Sequence, residues 1–122
     1  MWSNCLFVAL GGGLGAVGRY LLSLIAAPWS FTVMTLLTNF LGAVVIGAVA
    51  QAAGQLPMSK SAVLFLKTGL CGGFTTFSTF SLETVELLEQ GRWAAGGGYI
   101  LASVGLCLAG VLLGRALVWK IL

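Results

Sequence analysis

Apolar runs near residues 5–26, 32–53, 61–89 and 95–119 take up nearly all of a 122-residue chain. Each meets or exceeds the roughly 20 residues a helix needs to cross a bilayer core about 30 Å thick. Backbone polar groups in lipid must be satisfied within the spanning structure, so runs of this length cross as helices. With 59% apolar and 7% charged residues and a mean hydropathy of +1.06, the composition lies outside the range of soluble domains. The connections around Pro28, residues 55–60 and residues 90–93 are a few residues each. Residues 1–122 therefore read as one all-α, four-helix transmembrane domain. The first run lacks a basic leader and is interrupted by Arg19, so it reads as a mature span and no processing is expected.

Several function classes fall away on residue types. The chain has no histidine, the commonest general base and metal ligand. Cys5, Cys71 and Cys107 have none of the paired spacing of a zinc or redox site and read as small buried residues. The glycines at 11–13 and 15 follow no strand, so they open no dinucleotide fold. An enzyme is not expected. The net charge of +3 is too small for a nucleic-acid partner. Basic residues lean towards the side holding both termini, with Lys60, Lys67, Arg115 and Lys120 there and Arg92 and Arg19 opposite. The bias is slight by the positive-inside rule, and insertion in both orientations is compatible with it.

What remains is a set of polar residues inside apolar spans. Gly11 and Gly15 have the spacing that lets helix backbones approach closely. Arg19, near the outer end of its span, either snorkels to the interface or draws anions towards a vestibule. In the second span Thr32, Thr35 and Asn39 share a stripe about 60° wide, with Thr38 apart from them. The Asn39 amide carries donors and acceptors that its own helix cannot satisfy, so it serves as interhelical glue or lines a pathway.

The third span runs 29 residues, Ser61 to Glu89, about 43 Å as a straight helix and too long for the hydrocarbon core. Gly72 and Gly73 precede Thr75 and Thr76, and a break is expected near 71–76, at the twin glycines. Carbonyls freed at that depth need protein, water or an ion. Beyond the break, Phe77, Phe80, Ser81 and Thr84 fall on one face, and Thr76, Thr79, Glu83 and Glu86 on another. Ring edges carry positive charge, so the phenylalanines either simply pack or offer weakly polar contacts to an anion beside Ser81. Glu83 must be paired, protonated or facing an aqueous vestibule. In the fourth span Tyr99 and Ser103 are one turn apart, and Tyr99 fits either an interfacial belt or the pathway.

The stretch TGLCGGFTTFSTFSLE resembles the central motif of the Fluc/CrcB family of small bacterial fluoride channels. The likeness extends to GGGLGAVGRYLL, TLLTNFLGAVVIG and LLEQGR, and so over the whole chain. It implies a passive, fluoride-selective channel of the bacterial inner membrane that exports the ion and protects the cell. It further implies an antiparallel, dual-topology homodimer with two pores and a structural Na⁺ at its centre. By motif position that Na⁺ would lie on the backbone carbonyls of Gly72 and Thr75. Asn39, Phe77 and Phe80 match the pore residues, Arg19 the vestibule arginine, and Tyr99 and Ser103 the fourth-span hydroxyls. Thr35, Thr76, Thr79 and Ser81 complete the expected fluoride pathway. The alternative is a small multidrug or guanidinium transporter, which needs a membrane-embedded carboxylate that the first span lacks. A non-conducting anchor would leave Asn39 and the hydroxyl rows unexplained.

Overall fold

The computed structural model describes residues 1–25 and 30–122; the connection at Pro28 and the end of the first span at Ala26 lie outside the described residues. Helix α1 is Trp2–Ile25 and α2 is Phe31–Gln55. Helix α3 occupies 60–74, made of an α turn at Lys60–Val63, a π-helical stretch at Leu64–Cys71 and a last helical turn at Gly72–Phe74. Helix α4 is Phe77–Glu89, and α5 is Trp93–Ile121. The helices exceed the expected spans by a few residues, and α1, α2 and α5 are each long and apolar enough to cross a membrane. Among the described residues there is no strand.

The packing inverts the pattern of a soluble protein. On α1, Leu6, Leu10, Leu14, Val17, Leu21 and Leu24 point outwards while Gly11 and Gly15 are buried. Lipid supplies no hydrophobic drive between helices, so large side chains face it and small ones let backbones meet. Helix α1 packs along α3, and α2 packs along α5. A side chain on Gly73 would strike the Gly12 backbone, and one on Gly47 the carbonyl of Val111. Short polar caps start α2 and α3: Ser30 Oγ accepts from Val33 N at 3.3 Å, and Ser59 Oγ from Ala62 N at 3.1 Å. Cys71 is buried and Cys107 half-buried, but Cys5 stands exposed on α1, against the expectation of burial.

The break falls inside the expected window but not at the glycines. Gly72 is helical (φ −62°, ψ −38°), and the chain leaves the helix only at Thr75 (φ −85°, ψ 158°) and Thr76 (φ −151°, ψ 116°). Both are β-branched residues in extended backbone, which suits them and requires no positive φ. Gly73 instead provides room for α1.

Candidate functional site

The interruption between α3 and α4 is held by side chains that replace the missing helical bonds. Asn39 on α2 pairs with Thr76 as a second backbone would: its Nδ2 donates to Thr76 O at 3.0 Å, and Thr76 N donates to its Oδ1 at 2.7 Å. Thr75 N and Thr75 Oγ1 both donate to Cys71 O, at 3.0 and 2.8 Å, closing α3. Thr76 Oγ1 caps α4 by accepting from Thr79 N at 3.1 Å. Arg19 Nε donates to Gly73 O at 3.3 Å, so the arginine reaches the broken end of α3 rather than only the interface. Asn39 thus acts as interhelical glue at the break, and it also lines a cavity.

The amide that would close a helical bond on Gly72 O is that of Thr76, and it is spent on Asn39. The Thr75 carbonyl lies between the two helices, outside both. Two hard oxygens at the negative end of α3 suit a small alkali cation, and the amides opening α4 suit an anion.

Two cavities flank the break. The larger, about 590 Å³, is lined by Asn39, Thr75, Thr76, Phe77, Phe80 and Ser103 among others. The smaller, about 270 Å³, is lined by Arg19, Thr35, Thr38, Thr76, Thr79 and Glu83 among others. Thr76 borders both, and the two faces foreseen on the helix after the break open onto different spaces. At the larger cavity the Phe77 and Phe80 centroids are 5.5 Å apart; Tyr99, which lines neither cavity, lies 5.1 Å from Phe80, both pairs tilted. Phe77 is 79% exposed and Phe80 only 9%. Ser103 Oγ, buried at the cavity wall, has no partner among the described residues. An unpaired hydroxyl in such a place is costly unless a guest completes it.

The remaining expected residues fall into three groups. Thr35 and Thr79 line the smaller cavity. Ser81 Oγ is turned back onto its own helix, donating to Phe77 O at 2.9 Å, and Thr84 does the same to Phe80 O at 2.7 Å. Tyr99 is buried and donates from Oη to Glu83 Oε1 at 2.8 Å, so it is no interfacial belt residue. Glu83 accepts that bond and also borders the smaller cavity. Two stripe assignments need correction. Thr32 pairs with Ser30 at the start of α2 (3.1 Å), whereas Thr38, set apart by the angular count, is buried against the smaller cavity with Thr35. The signal for Thr38 was its 60° offset from Thr35 on the side away from Asn39.

Tyr99→Phe keeps the ring against Phe80 and removes the donor to Glu83. The expected result is a loss of about 1–3 kcal/mol of stability, from a buried acceptor left unpaired. Chemical unfolding in detergent measures it, and an unchanged midpoint would show the bond contributes nothing.

A helical membrane protein with one segment broken at depth, its break splinted by side chains and flanked by two largely apolar cavities that each carry a few polar side chains, has the architecture of a protein that passes small solutes or ions. The profile of the family described as CrcB-like protein, Camphor Resistance (CrcB), matches residues 6–115, and the chain belongs to that family. It is similar to proteins named fluoride-specific ion channel FluC. The one from Gluconobacter oxydans is 42% identical over 93% of this chain and 83% of its own length. That from Ruminiclostridium cellulolyticum is 44% identical over 93% and 91%, and that from a Roseiflexus species 47% over 91% and 93%.

Proposed function

We propose that the chain is a passive fluoride channel of the bacterial inner membrane, a single four-span unit working as an antiparallel homodimer with two pores. The observation that supports it most directly is the unpartnered Ser103 hydroxyl in a cavity walled by the Phe77 and Phe80 rings and the Asn39 amide. The names of the relatives point to the same ion. Fluoride is small and tightly hydrated, so a path must offer many weak donors in place of water yet release the ion. Hydroxyls, one amide and positive ring edges supply such donors, each too weak alone to trap the ion. Arg19, set back beside the smaller cavity, raises the local anion concentration instead. A Na⁺ bound by the carbonyls of Gly72 and Thr75 would offset the negative end of α3; it serves structure and carries no current.

Dimerisation accounts for Phe77, which is too exposed in one chain to wall a pore. A partner lying along the larger cavity would enclose it. The test is fluoride efflux from liposomes holding purified protein, with chloride as control: rapid fluoride release and little chloride release is the expected result. Equal rates for the two halides would refute selectivity, and a flux that follows an imposed proton gradient would favour the transporter reading. In a tandem fusion of two chains, Phe80→Ile in one half is expected to remove about half of the flux, since each pore draws on its own pair of rings. Complete loss, or none, contradicts two pores.

A further inference from the structure

All three glutamates of the chain lie on α4, at the end of the bundle shared with Arg19 and Arg92. The opposite end holds Lys60, Lys67, Arg115 and Lys120 and no acid. One of these four, Lys67, is not at the margin. It lies inside α3, exposed, and lines the larger cavity. No side-chain carboxylate of its own chain lies at that end of the bundle.

Depth selects a partner. Lys67 is eight residues before Thr75, roughly 12 Å from the break along the helix axis, and Glu86 is ten residues after Thr76, roughly 15 Å beyond it. Both are near the edge of a hydrocarbon half-layer about 15 Å deep, where a charge either reaches water or finds a partner. Of the three glutamates, Glu83 is buried and taken by Tyr99, and Glu89 ends α4; Glu86 is exposed and free to reach outwards. A twofold axis in the membrane plane through the breaks brings Glu86 of the partner subunit to the same side as Lys67, within about 3 Å of its depth. Two parallel chains would set cation against cation instead.

We propose that Lys67 forms an ion pair with Glu86 of the partner subunit, twice per dimer, and that these pairs fix the register of two antiparallel chains. The inference rests on the dimer reading above and adds to it which side chains meet. Ion pairs at such interfaces specify orientation more than they add affinity.

The test uses chains in which Cys5, Cys71 and Cys107 are serine. Lys67→Cys and Glu86→Cys chains, separately tagged and expressed together, are expected to yield a mixed dimer with a short bismaleimide, and Lys67→Cys alone to yield none. Lys67→Glu and Glu86→Lys should each raise the monomer fraction in detergent about tenfold, and the double exchange should return it to within about threefold of the parent, the coupling expected of contacting charges. Additive single effects, or cross-linking of Lys67→Cys to itself, would overturn the proposal. So would a lack of mixed cross-link in a parent that light scattering shows to be dimeric. A parent that conducts fluoride without the cross-link defeats this pairing alone. A cross-linked dimer that does not conduct defeats the channel reading alone.

Discussion

Asn39→Leu is expected to abolish fluoride flux and to destabilise the protein in the same step. The side chain makes both bonds to the Thr76 backbone, Nδ2 to O at 3.0 Å and N to Oδ1 at 2.7 Å. Leucine keeps the branched outline and the number of heavy atoms and leaves both groups unpaired at membrane depth. Each orphaned group costs about 1–3 kcal/mol, so about 2–6 kcal/mol in total, enough to close or collapse the break. A purely ion-binding asparagine would behave differently: flux would fall while stability in fluoride-free buffer stayed at the parent value. The measurement is therefore a pair, efflux rate and detergent unfolding without fluoride. A fall of at least about tenfold in rate with a clear loss of stability supports the splint. Asn39→Gln makes a sharper comparison, because the amide is retained but displaced by one methylene from a geometry that needs both bonds at once. It should resemble leucine more than the parent.

How far the site could be read from the residues follows from which forces act locally. Asn39 stood out because an amide in an apolar helix is costly wherever it points, and that needs no knowledge of the partner. The break was legible from length alone, since 29 residues do not fit the hydrocarbon core, but its placement on the glycines was not correct. Glycine permits both an irregular backbone and close approach, and sequence does not separate the two uses. The structure assigns Gly73 to approach and gives the break to two threonines whose branching suits extended backbone. Thr38 was set aside because a 60° stripe is narrower than the arc a cavity reaches. The π-helical stretch at Leu64–Cys71 and the bond from Tyr99 to Glu83 left no signal at all: both depend on how α1 and α5 press against neighbours far away in the chain.

Gly15→Ala and Gly114→Ala should be about as damaging as the polar substitutions at the site. A methyl on Gly15 would overlap the carbonyl of Leu70 and stand 2.7 Å from Phe74 N; on Gly114 it would overlap the carbonyl of Val44 and stand 2.8 Å from Ala48 N. In both cases the obstacle is backbone, which has no rotamer to adopt, so two helices must move apart along their length. At least about 3 kcal/mol is expected, the upper end of overpacking costs, because no side chain can yield. Gly13→Ala and Gly97→Ala are the controls: a methyl there meets nothing within 4 Å, and alanine gains about 1 kcal/mol of helix propensity. The yield of monodisperse protein in detergent should therefore fall sharply for the first pair and hold or rise for the second. The two failures also differ in kind. Gly15 sets the distance between α1 and the end of α3, one turn below Arg19, whose Nε reaches Gly73 O at 3.3 Å. Gly114 sets α5 against α2, remote from that contact. Any Gly15→Ala protein that survives purification should lose the Arg19 contact and its draw on anions, with fluoride flux falling most at low ionic strength, where steering is strongest. Surviving Gly114→Ala protein should keep the parent salt dependence. Equal salt profiles in the two variants would mean that α1 does not place the arginine.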